Sequence, residues 1–116
     1  MTIPELHELL ETTGFPVWKY RAVQEDIFKE EMPFIVYHDT DSYFDVTSGT
    51  IWRKITNVGI DVFSQKDGDA EMLEKVLLKN NIIPKIIRPI WIEDEKIINT
   101  QFDIVISQSF CKDDLS

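Results

Sequence analysis

The residues best spaced for chemistry form one run, Asp39-Thr40-Asp41-Ser42-Tyr43-Phe44-Asp45, with side-chain oxygens at nearly every other position. Such oxygens open a calcium-binding loop, where carboxylates and hydroxyls wrap a hard cation. The pattern then fails. Phe44 stands where the loop requires Gly, and Thr50 stands where it requires a bidentate Glu. A solvated loop accounts for the run better than a metal site. The alternative it leaves is a metal-dependent binding module or enzyme using Asp39, Asp41 and Asp45.

The remaining chemical groups are sparse. Zinc sites and His-based hydrolysis need converging ligands. His7 and His38 are the only histidines and fall on different elements. His7 reads as a solvated helix position. Cys111 is the single cysteine, so no internal disulfide or paired-cysteine zinc site can form. Four glycines are too few and too scattered to cradle a phosphate. Glu30-Glu31 and Glu93-Asp94-Glu95 read as solvated charge. Trp18, Trp52 and Trp91 read as core or interface anchors, since Trp is enriched at protein interfaces. No catalytic residue, metal or cofactor is expected, and assembly with other proteins is favoured over catalysis.

Charge narrows the partners. The net charge is −9 over 116 residues. Residues 23–45 carry Glu25, Asp26, Glu30, Glu31, Asp39, Asp41 and Asp45 against Lys29 alone. Phosphate contacts need clustered Lys and Arg, so specific binding to nucleic acid or to anionic membrane is disfavoured. No apolar run approaches the ~18 residues of a membrane span. The start lacks the basic and apolar regions of a signal peptide. A soluble protein made inside the cell is expected.

The elements that must carry these residues follow from periodicity. Thr2 and Glu5 make a capping box, with Pro4 in the first turn. Ile3, Leu6, Leu9 and Leu10 line one helix face, and Gly14 stops it. Trp18, Tyr20 and Ala22 alternate with Lys19 and Arg21 as a strand. Residues 23–32 read as a loop or short helical turn. Phe34–His38 is a second strand, and residues 39–50 a loop or irregular hairpin tip. Ile51–Phe63 is the longest strand, where Gly59 marks a bulge or close packing. Residues 64–69 form a turn with several capping candidates before a helix over Ala70–Asn80. Met72, Leu73, Val76 and Leu77 form its apolar stripe. Lys85–Ile92 and the alternating Phe102, Ile104 and Ile106 are strands joined by a charged turn, Glu93–Lys96. The expected fold is α+β, order α-β-β-β-α-β-β. It has a mostly antiparallel sheet of four to five strands with two helices on one face. Residues 1–110 form one domain, and 111–116 a flexible tail.

Several segments carry a likeness beyond this. They are Thr2-Ile3-Pro4-Glu5-Leu6 with Thr13-Gly14-Phe15-Pro16-Val17, then Pro33-Phe34-Ile35-Val36-Tyr37. Val58-Gly59-Ile60-Asp61-Val62-Phe63-Ser64 with Lys66-Asp67, and Trp91-Ile92-Glu93-Asp94-Glu95-Lys96, complete the set. Over about residues 2–106 the chain resembles the small tail-terminator, or head–tail joining, proteins of phages and prophages of low-GC Gram-positive bacteria. No single segment is diagnostic; the cadence of the whole matches. Residues 39–50 depart from the pattern. Asp45-Val46-Thr47-Ser48-Gly49 stands where the family tends to carry an Asn-rich stretch and an Ala-Asp pair.

The resemblance implies a virion protein at the head–tail junction, made in the bacterial host cytoplasm. It would form a homo-oligomeric ring, commonly a hexamer, with no cofactor. The ring would stop growth of the tail tube, binding the major tail tube protein and the head connector or stopper. Another head–tail adaptor or a minor capsid component is the nearest alternative. Interface candidates are Glu25, Asp26, Glu30, Glu31, Asp39, Asp41, Asp45, Trp52 and Trp91. The Ile-rich strand 85–92 would extend a sheet between subunits, and the acidic segment 23–45 would line a lumen.

Overall fold

The first helix, α1 (Ile3–Glu11), begins as the capping box dictates. The Glu5 backbone N–H donates to the Thr2 hydroxyl at 3.3 Å. The Thr2 backbone N–H donates to the Glu5 carboxylate at 3.2 Å, and its hydroxyl does so at 2.9 Å. These two donors hold the Glu5 carboxyl below its ordinary range. Gly14 takes φ +86°, the left-handed conformation that ends a helix without Cβ strain.

The computed structural model describes residues 1–19, 32–46, 49–94 and 96–111. After α1 come β1 (Val17–Lys19), β2 (Phe34–Val46), β3 (Ile51–Ser64), α2 (Asp67–Lys79), β4 (Ile86–Ile92) and β5 (Ile97–Cys111). The fold is α+β, with five strands in the order β1-β2-β3-β5-β4. Every pairing is antiparallel except β1 with β2, which is parallel. The core cluster lies on one sheet face. Leu6 and Leu10 of α1 and Leu73 and Leu77 of α2 bury against Ile35, Tyr37, Val58, Ile60, Val62, Phe102, Ile104 and Ile106. Phe34, Val36, Phe63 and Ile97 pack at one end of the opposite face.

Several expectations need correction. Residues 39–46 are strand, not loop: β2 continues to Val46, pairing residue by residue with β3. Asp and Ser discourage strands by local propensity, yet pairing along β3 overrides it. The bulge falls between Asp39 and Asp41 of β2, not at Gly59. Of the two readings of Gly59, close packing holds: a Cβ there would stand 3.0 Å from Cε1 of His38. Helix α2 starts at Asp67 with no side-chain cap. The Ser64 hydroxyl, a capping candidate, donates to the Lys66 carbonyl instead, at 3.1 Å. Its stripe is narrower than expected, with Leu73 and Leu77 buried but Met72 exposed.

The end of α2 is a full Schellman motif. Ile82 N–H donates to the Leu77 carbonyl and Asn81 N–H to the Leu78 carbonyl, with Asn81 at φ +61°. Cys111 is not tail but the last residue of β5, opposite Ile51. Tyr20 and Ala22 of the expected first strand, the acidic stretch 23–31 and residues 112–116 lie outside the described residues.

The sheet outruns its helices. The chain's radius of gyration is 16.1 Å, against roughly 13 Å for a compact domain of about this size. Beyond Thr56 and Ile106 no described strand residue is buried. The ends of β2, β3 and β5 therefore form a three-stranded arm, with Phe44 and Phe110 in tilted contact at 6.4 Å.

Candidate functional site

Sheet order decides what the molecule can offer a partner. β1 covers only Ile35–Tyr37 of β2. From His38 to Val46 no described strand pairs with β2 on that side. This length carries Asp39, Asp41 and Asp45 among Tyr43, Phe44 and Val46, the last two each 59% exposed. The opposite edge is β4, exposed at every position from Ile86 to Trp91. It presents Ile86, Ile87, Ile90 and Trp91, with Arg88 exposed among them and Lys85 exposed just before the strand. Long apolar edges are what sheet proteins ordinarily cover or blunt. Pro89 blunts this one in part, since it has no N–H to offer.

The acidic run does not converge. Asp39 lies opposite Val58, on the helix-bearing face. Asp41 and Asp45 lie beyond the bulge on the other face, opposite Asn57 and Arg53. Asn57 Nδ2 donates to Asp41 at 2.7 Å, and Arg53 pairs with Asp45 at 3.2 Å. Among the described residues no three His, Cys, Asp or Glu side chains gather to hold a metal ion. Glu25, Asp26, Glu30 and Glu31 lie outside the described residues.

The tryptophans are not core. Trp91 is 56% exposed on β4, Trp18 is exposed on β1, and Trp52 is half-buried on the arm beside Val46 and Phe110. Trp52 and Trp91 thus fall on the arm and on the β4 edge, two separate apolar surfaces.

Two polar constellations escaped the sequence reading. His7 is half-buried, not solvated. Its Nδ1 lies 2.8 Å from the Tyr37 hydroxyl and its Nε2 lies 2.8 Å from Glu11. Burial, with Glu11 nearby, pushes the Tyr37 phenol up. Its signal was absent because His7 and Tyr37 are thirty positions apart.

On the opposite face, His38, Gly59, Asp61, Gln101 and Asp103 line a hollow of about 160 Å³. The parity of β2, β3 and β5 places them there: His38 pairs with Gly59, Gly59 with Asp103, and Asp61 with Gln101. Burial raises the Asp61 carboxyl above its ordinary value. His38 pulls it down and the Asp103 charge pushes it up further. An acid whose folded value is raised binds protons more tightly when folded. Stability therefore falls as pH rises from the ordinary carboxylate value through the folded one. Asp61→Asn is expected to raise the melting temperature at pH 7, with the gain shrinking toward pH 4. Thermal melts across that range check it, and an equal gain at both ends refutes it. Compared with models of known protein families and with curated proteins, the chain matches none.

Proposed function

We propose that this protein is a virion structural subunit, not an enzyme. It caps the tail tube of a phage or prophage as an oligomeric ring and joins the tube to the head connector. The observation that carries the reading is a sheet with two edges, β4 and the Asp41–Val46 length of β2, that no further described strand pairs, each rich in exposed apolar side chains. A monomer gains nothing from such edges, while a subunit that must meet neighbours does. The resemblance over residues 2–106 supplies the particular assembly. The partners are further copies of the chain, the major tail tube protein and the connector or stopper, at the head–tail junction of the virion.

The test is tube growth. The major tail tube protein of the same genome is polymerised with and without this chain, and tube lengths are measured by electron microscopy. Tubes are expected to shorten as the chain is added, with density at one end only. An unchanged length distribution over a wide range of ratios sinks the proposal.

A further inference from the structure

The β4 edge and the Asp41–Val46 edge of β2, neither paired outward by a described strand, complement each other. The segment 83–92 contains Lys85 and Arg88 and no acid, in a chain of net charge −9. Neither cation has an ion-pair partner among the described residues; Arg88 only donates to Gln101, at 3.3 Å. The length of β2 from Asp41 to Val46, which no described strand pairs on its outer side, carries two carboxylates and no cation.

Direction matches as well as charge. Strands β2, β3, β5 and β4 alternate in direction across the sheet. A copy whose β2 lies beside β4, with its helices on the same face, therefore meets it antiparallel. That is the commoner and slightly stronger pairing.

We infer that copies of this chain associate head to tail through strand pairing, β4 of one against residues 41–46 of β2 in the next. The inference rests on the ring reading above and names its contact surface. The pleat restricts the register, because a one-residue slip would exchange the faces. On the face away from the helices, β4 presents Ile86, Arg88 and Ile90, and β2 presents Asp41, Tyr43 and Asp45. On the helix face, β4 presents Ile87 and Trp91, and β2 presents Phe44 and Val46. One antiparallel register sets Arg88 against Asp45, Ile90 against Tyr43 and Ile87 against Val46. Cation meets carboxylate on the face away from the helices and apolar meets apolar on both, while Trp91 meets Ser42 and Ile92 meets Asp41 at the far end. The two edges differ from each other, so the contact is heterologous and repeats until it closes.

The test uses the full chain with Cys111→Ser, so that each variant holds one cysteine. Tyr43→Cys chains are mixed with Arg88→Cys, Ile90→Cys or Ile92→Cys chains and oxidised. A mixed disulfide exceeding either homodisulfide is expected, strongest with Ile90→Cys. No mixed disulfide in any mixture overturns the inference; so do homodisulfides alone, which would mark each edge pairing with its own kind. Sedimentation velocity gives a second reading. Arg88→Glu is expected to weaken association about tenfold or more, and Asp45→Lys in the same chain to restore it. A double variant no tighter than Arg88→Glu overturns the pairing. Tube capping without the mixed disulfide leaves the ring reading standing and removes this contact. The disulfide without capping does the reverse.

Discussion

Phe102→Ala is expected to cost about 3–5 kcal/mol, because truncating a buried aromatic loses its transfer energy and leaves a cavity. Phe102 is 1% exposed in the middle of β5, between Ile60 of β3 and Ile87 of β4. Both helices pack their leucines into the same cluster. Domains hold only about 5–15 kcal/mol in total, so the variant should lie near its unfolding threshold. Urea titration followed by circular dichroism checks this, with a lowered midpoint and an unchanged slope. Phe44→Ala is the internal control. Its ring sits on the arm, beyond both helices, and its loss should stay within about 0.5 kcal/mol. Equal costs at the two positions would refute the division into packed body and unsupported arm.

Gly59→Ala is expected to cost about 1–3 kcal/mol, the range for forcing extra volume into a filled site. The new methyl would stand 3.0 Å from Cε1 and 3.1 Å from Nε2 of His38. The imidazole must move, within a hollow it shares with Asp61, Gln101 and Asp103. Removing the ring should remove the conflict. The pair Gly59→Ala with His38→Ala should thus be more stable than the sum of the single changes implies, by about 1 kcal/mol or more. Strict additivity would mean that the two residues do not press on each other.

Much of the body was legible because its local signals agree with its packing. The Thr2 and Glu5 box, the Gly14 stop and the alternation of Phe102, Ile104 and Ile106 each report a face or an end directly. Misreadings cluster where a distant neighbour decides. Asp39–Val46 reads as loop from composition and becomes strand because β3 supplies a full-length partner. β1 is short and parallel, a pairing no hairpin signal announces. The tryptophans read as core or interface anchors by type, and the core half fails: Trp18 and Trp91 lie at the sheet's edges and Trp52 on the arm.

The candidate surfaces were half legible. The Ile-rich edge strand was named from sequence as a place where a sheet could extend. Its complement lies in a stretch whose composition reads as a loop or irregular hairpin tip. Only the strand order shows that Asp41, Tyr43 and Asp45 share one face of an edge that no described strand pairs on its outer side. The hollow around His38 and Asp61 was hidden for the same reason, since its parts come from three strands and meet through register alone.

The two open edges are not level with each other. Arg88 stands beside Gln101, which stands beside Asp61, whereas Asp45 stands beside Arg53. Eight residues of β3 separate Asp61 from Arg53, roughly 27 Å at strand rise. A neighbour joined in that register is therefore displaced along the strands by that amount. Were the strands upright, each added copy would climb and the array would wind into an open spiral. A closed circle absorbs the displacement only if the strands lean steeply from its axis, as staggered register obliges barrel strands to do. The length of the arm thus sets the slant of the wall it would help to build.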